Sequence, residues 1–60
     1  MTETEIHEYA RSLFEAHGDR AVAEAARRAA ECEQRNERDQ AAAWRHVESA
    51  LREIRGPRQG

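Results

Sequence analysis

The chain has 60 residues, a net charge of -2 and 37% charged residues. Its hydrophobic set is 38% of the chain, and 12 of those 23 residues are alanine. So short a chain has room for one small domain with a thin core, which excludes two domains or a large enzyme; no apolar run approaches the roughly 18 residues of a membrane span.

Twelve acidic and ten basic residues give no global attraction to nucleic acid or anionic lipid. A single cysteine, Cys32, excludes an internal disulfide and a multi-cysteine zinc site. The opening Met-Thr-Glu-Thr-Glu has neither the basic stretch nor the apolar core of a secretory signal, so a soluble cytoplasmic protein is expected.

The first element is a helix from about Glu3 to His17. Thr2 with Glu5 three residues on is a capping-box pattern. Ile6, Tyr9, Ala10, Leu13, Phe14 and His17 fall on one face at helical spacing. Gly18 is the expected left-handed stop.

A second helix follows from Arg20 to about Arg35, with Asp19 as its expected N-cap. Its apolar arc consists of Ala21, Val22, Ala23, Ala25, Ala26, Ala29, Ala30 and Cys32 and is roughly 200° wide at 100° per residue. Small side chains on so wide an arc suit a helix approached closely by two neighbours.

The third helix is expected from about Asp39 or Gln40 to Arg55. Asn36 suits the end of the second helix, and Asn36 or Asp39 the start of the third. Ala43, Trp44, Val47, Ala50, Leu51 and Ile54 form a stripe about 120° wide. Gly56-Pro57 closes it, and residues 57–60 read as a tail.

The sequence therefore predicts an all-α three-helix bundle over residues 1–56. The alanine-rich second helix is expected at its centre, packed antiparallel to the others through short loops. Ion pairs at four-residue spacing are expected for Arg11–Glu15, Glu24–Arg28, Arg27–Glu31, Glu31–Arg35 and Glu48–Arg52.

The pattern His17-Gly18-Asp19, then Ala21 through Ala30, then a polar turn with Trp44-Arg45-His46-Val47 beginning eight residues past Asn36, resembles a group of small uncharacterised bacterial three-helix proteins. Asn36 stands where that pattern usually has a turn glycine. The resemblance spans about residues 6–55 and implies the fold; it implies no activity and no functional residues.

The chemistry-bearing residues are sparse. His7, His17 and His46 include no pair at four-residue spacing, and there is no Cys-x-x-Cys, so no metal site is expected. His17 is expected to pack its ring into the stripe, with a nitrogen meeting the last carbonyls of the helix. His7 and His46 are expected in solvent. Ser12 and Ser49 lack an adjacent base, and Cys32 reads as an inert buried thiol. No glycine-rich phosphate loop is present. The chain is therefore read as a non-enzyme with no cofactor and no small-molecule substrate.

Two functional classes remain. One is a protein-interaction module, acting as a homodimer or as an accessory subunit or inhibitor of a larger bacterial protein. Its expected contact residues are Tyr9, Phe14, Trp44, Arg45, Arg52 and Arg55, because aromatics flanked by arginine are frequent interface anchors. The alternative is a small DNA-binding regulator using Arg45, Arg52, Arg55 and Arg58 on the third helix and tail. Glu48 and Glu53 interrupt that basic set, and a pI of about 5.9 is far below that of a typical nucleic-acid-binding domain.

Overall fold

A computed structural model describes residues 2–56. These residues form α1 (Glu3–His17), α2 (Arg20–Gln34) and α3 (Arg38–Arg55), with no strand among them. The expected tail, residues 57–60, lies outside the described residues.

Each helix boundary has a local cause. The Thr2 hydroxyl accepts from the Glu5 amide at 3.2 Å, and the Glu5 carboxylate accepts from the Thr2 amide at 2.9 Å. That completes the expected capping box and satisfies two amides at the start of α1. Gly18 ends α1 at φ 63°, ψ -140°, a region that is essentially glycine's alone. Its amide donates to the Phe14 carbonyl at 2.7 Å.

Asp19 does not cap α2 with its side chain. It is already helical, at φ -62°, ψ -21°. The tight link satisfies the first amides through backbone instead: Ala21 donates to Gly18 and Val22 to Asp19.

At its other end α2 closes one residue earlier than expected. The Glu37 amide reaches back to the Cys32 carbonyl and the Asn36 amide to that of Glu33. This pair of bonds is the Schellman closure, and Asn36 supplies its left-handed residue at φ 63°. The closure takes up both turn residues, so α3 starts at Arg38, with Glu37 at its N-cap and no side-chain cap from Asn36 or Asp39.

The core is small and largely alanine. Ala10, Ala21, Ala25, Val47, Ala50 and Leu51 form a buried cluster, flanked by the partly buried Ile6, Leu13, Phe14, Val22, Trp44 and Ile54. Ala29, Cys32 and Ala41 extend burial along the α2–α3 seam. Alanine at Ala21, Ala25, Ala29 and Ala50 lets backbones approach closely, and Val47, Leu51 and Trp44 fill the space between.

All three helices touch one another, as the expected bundle requires. The order of contact differs from the expected one. The α2–α3 seam is the most extensive and the α1–α2 seam the slightest, so both outer partners rest chiefly on α3. The arc of α2 buried here is narrower than expected: Ala21, Ala25, Ala29 and Cys32 are buried, but Ala23 and Ala30 are exposed, because α1 touches α2 only slightly. Helix α3 is the longest helix and carries the bulkier side chains that fill the core.

Nor does α1 lie simply alongside. The His7 Nε2 is 3.7 Å from a Glu53 carboxylate oxygen, while Tyr9, two residues on, meets Trp44 at a ring distance of 5.9 Å. Two residues span ~3 Å of helix axis, whereas the nine from Trp44 to Glu53 span ~14 Å. Helix α1 therefore meets α3 out of register, and clefts flank their contact.

The thiol of Cys32 lies in the α2–α3 seam, only 7% exposed. Burial, followed by the nearby Glu37 carboxylate, pushes its pKa up. The thiolate is the reactive form. Labelling by a thiol reagent at neutral pH is therefore expected to be slow in the native protein and fast in denaturant. Equal rates in the two conditions would contradict this packing.

Candidate functional site

A cleft lies between α1 and α2, left by their slight contact. It encloses about 350 Å³. Tyr9, Leu13 and His17 line it from α1 at four-residue steps, and Arg20, Glu24 and Arg28 line it from α2 at the same steps. Four-residue steps keep one side of a helix facing one way, so each helix presents a continuous wall. Trp44 of α3 closes the end nearest Tyr9.

The aromatic end is a three-residue cluster. Tyr9 meets Trp44 edge to face, with an interplanar angle of 62°. The Arg28 guanidinium lies over the Trp44 ring, 5.5 Å from its centroid, within the range where a cation is attracted to a ring face. Trp44 is half-buried against the core. Tyr9 is 41% exposed, and it is the large hydrophobic side chain most open to solvent among the described residues. On its far side, Tyr9 and Trp44 border a second cleft of about 240 Å³ with Gln40, Ala43 and Val47.

The charges along α2 are locally organised. Glu24 accepts from Arg27 at 2.7 Å and Arg28 at 3.3 Å, and Arg27 also reaches Glu31 at 3.0 Å. Arg27, and then Arg28, hold the Glu24 carboxyl below its ordinary pKa. It stays ionised at neutral pH, and its pairing is lost only as pH falls through that lowered value. Arg20 has no ion-pair partner among the described residues.

A second cluster ties α2 to α3. Arg45 bridges Glu33 of α2, at 3.2 Å, and Glu48 of its own helix, at 3.1 Å. Glu48 also accepts from Arg52 at 2.7 Å. It is 8% exposed, the one buried charged residue among those described. A carboxylate so placed is tolerable only when paired, and here two guanidinium groups pair it.

The expected contact residues are thus divided. Tyr9 and Trp44 come together at the surface. Phe14 turns toward the core. Arg45 and Arg52 converge on Glu48, while Arg55 stays exposed in the last turn of α3. The arginine beside Trp44 in space is Arg28, sixteen residues away in sequence. Two of the four arginines of the DNA-binding alternative face carboxylates, and Arg58 lies outside the described residues.

His17 departs from its expected place: it does not pack into the stripe but is exposed on the rim of the cleft between α1 and α2. His7 and His46 are exposed. Of the expected helical pairs, Glu24–Arg28, Arg27–Glu31 and Glu48–Arg52 form. Arg35 leaves the helix as the C-cap of α2, so Glu31 keeps Arg27 alone. Arg11–Glu15 makes no bridge, although Arg27–Glu31 in the same orientation does.

Sequence reasoning missed the burial of Glu48 and the place of Arg28. The burial of Glu48 had a signal in Ala41. Counting Ala41 in the stripe of α3 widens the buried arc to one side, and Glu48 falls within it. No local pattern marks Arg28, whose aromatic partner is on another helix.

Among the described residues, no three His, Cys, Asp or Glu side chains gather to hold a metal ion, and no helix is long and apolar enough to cross a membrane. No family model matches the chain, nor does any curated protein or solved structure.

Proposed function

We propose that this protein is a small non-catalytic interaction module that docks through the face where α1 and α2 diverge. The observation that carries this reading is Tyr9. A tyrosine held edge-on to a half-buried tryptophan, beside an arginine and between two clefts, has the composition of an interface anchor. Its position is fixed by Trp44, so docking would order few new side chains, and ordering is a main cost of association. The charged walls around it would set orientation more than affinity.

The test replaces Tyr9 with serine. Tyr9 is 41% exposed but packs on Trp44, so Tyr9→Ser should cost about 1–2 kcal/mol and leave the fold intact. Both proteins would be immobilised, and the host proteins each retains compared; the mass of each in solution would be taken separately. The variant is expected to lose the association that the wild type shows, at unchanged helicity. If retained proteins and mass are identical for the two, the face is not a docking surface.

A further inference from the structure

Resting on the interaction reading above, we infer that the occupant of this face is a second copy of the same chain, related by a two-fold axis along the α1–α2 groove. The outward sides of the two helices that flank the cleft differ in sign of charge. The outward side of α1 carries Glu5, Glu8 and Glu15, all exposed, and Arg11, about 40° beyond Glu15 around the helix, leaves it a surplus of two negative charges. The outward side of α2 carries Arg20, Arg27 and Arg28 against Glu24 and Glu31, a surplus of one positive charge. Glu8, Glu15 and Arg20 take part in no ion pair within the chain among the described residues.

A two-fold axis along the groove lays the α1 of each copy over the α2 of the other. An isologous contact makes every pairing twice. The lining of the cleft fixes the levels. His17 lies opposite Arg20, and Tyr9 opposite Arg28. Glu15 therefore stands near the level of the other copy's Arg20, and Glu8 near that of its Arg27. Both acidic–basic contacts occur in duplicate, and each Tyr9 stands at the level of the other copy's Arg28. An axis across the groove would instead set α1 on α1, carboxylates against carboxylates. The face is thus self-complementary in charge in one orientation only.

Charge reversal tests this with the full chain. Glu15→Arg places a cation near the C-terminal end of α1, and Arg20→Glu an anion at the N-terminal end of α2. Both changes suit the helix dipoles, so neither variant should lose its fold. Circular dichroism checks that each keeps its helix content. Sedimentation equilibrium is then run across protein concentration. The wild type is expected to dimerise, more weakly as salt rises. Each single variant is expected to dissociate about tenfold more readily, roughly 1.4 kcal/mol. An equimolar mixture of Glu15→Arg and Arg20→Glu is expected to recover the dimer. In the mixed pair the two introduced charges meet at one contact, with their signs exchanged, and the native Glu15 and Arg20 meet at the other. The double variant in one chain should also recover it, since both contacts are then exchanged together.

A wild type that stays monomeric throughout, or single variants that dimerise as well as the wild type, would overturn the inference. Failure to recover the dimer in the mixture would do so too. A monomeric wild type that still retains a host protein through Tyr9 would leave the interaction reading standing and sink self-pairing alone. If Tyr9→Ser also changes nothing, both fall.

Discussion

Leu51→Ala is expected to destabilise the protein by about 2–5 kcal/mol. Leu51 is 0% exposed and the largest of the fully buried side chains. It packs in the same cluster as Ala10, Ala21, Ala25 and Val47. Those neighbours are mostly alanines with no rotamers to adjust, so the space left by three lost carbons stays open. A chain of this length has a total stability of about 3–9 kcal/mol. The substitution therefore removes much or all of it. Chemical denaturation followed by circular dichroism reads the effect as a fall in midpoint, or as a chain unfolded in buffer. A loss below about 1 kcal/mol would mean that Leu51 is not central to the core.

Ala25→Leu approaches the same site from the opposite direction. Ala25 is 0% exposed and belongs to the same cluster. Its methyl faces α3 where Val47 and Leu51 already fill the space, so three further carbons must displace one helix or take a strained rotamer. Overpacking of this kind costs about 1–3 kcal/mol. Ala23→Leu, on the exposed side of the same helix, is the control and should lie within about 0.5 kcal/mol of the wild type. Equal effects at the two positions would mean that the α2 face has no preferred side. Together with Leu51→Ala, the pair tests whether the buried alanine face of α2 packs against the core around Leu51.

The network at Glu48 contributes less to stability than its geometry suggests. Arg45 and Arg52 are about half exposed, at 46% and 62% of their side chains. Exposed ion pairs contribute only a few tenths of a kcal/mol. The larger consequence is for function. Arg52 is neutralised by Glu48 as its spacing predicts, and Arg45, for which no four-residue pair is expected, is neutralised by Glu33 and Glu48, which moves the candidate contact surface from the third helix to the cleft beside Tyr9.

The sequence by itself determined the three helices, and for local reasons. Thr2 and Glu5 cap α1 through three-residue geometry, Gly18 and Asn36 supply positive φ where the chain must turn, and stripes of alanine and larger apolar residues mark the faces to be buried. Each of these signals acts within a few residues, so each is legible in order along the chain. Only the tertiary structure decided which seam is tight and which is open. The register in which α1 meets α3 depends on how Tyr9, Ile6 and Ala10 fit against Trp44, Val47 and Ala50, and side-chain shape across two helices leaves no periodic trace in either one. The same cause hid the candidate site: Tyr9, Arg28 and Trp44 come from three different helices and meet only after packing. Glu48 lies between the two cases, since its place within the arc of Ala41 is local but its partner Arg45 is held to α2 by Glu33, 12 residues earlier.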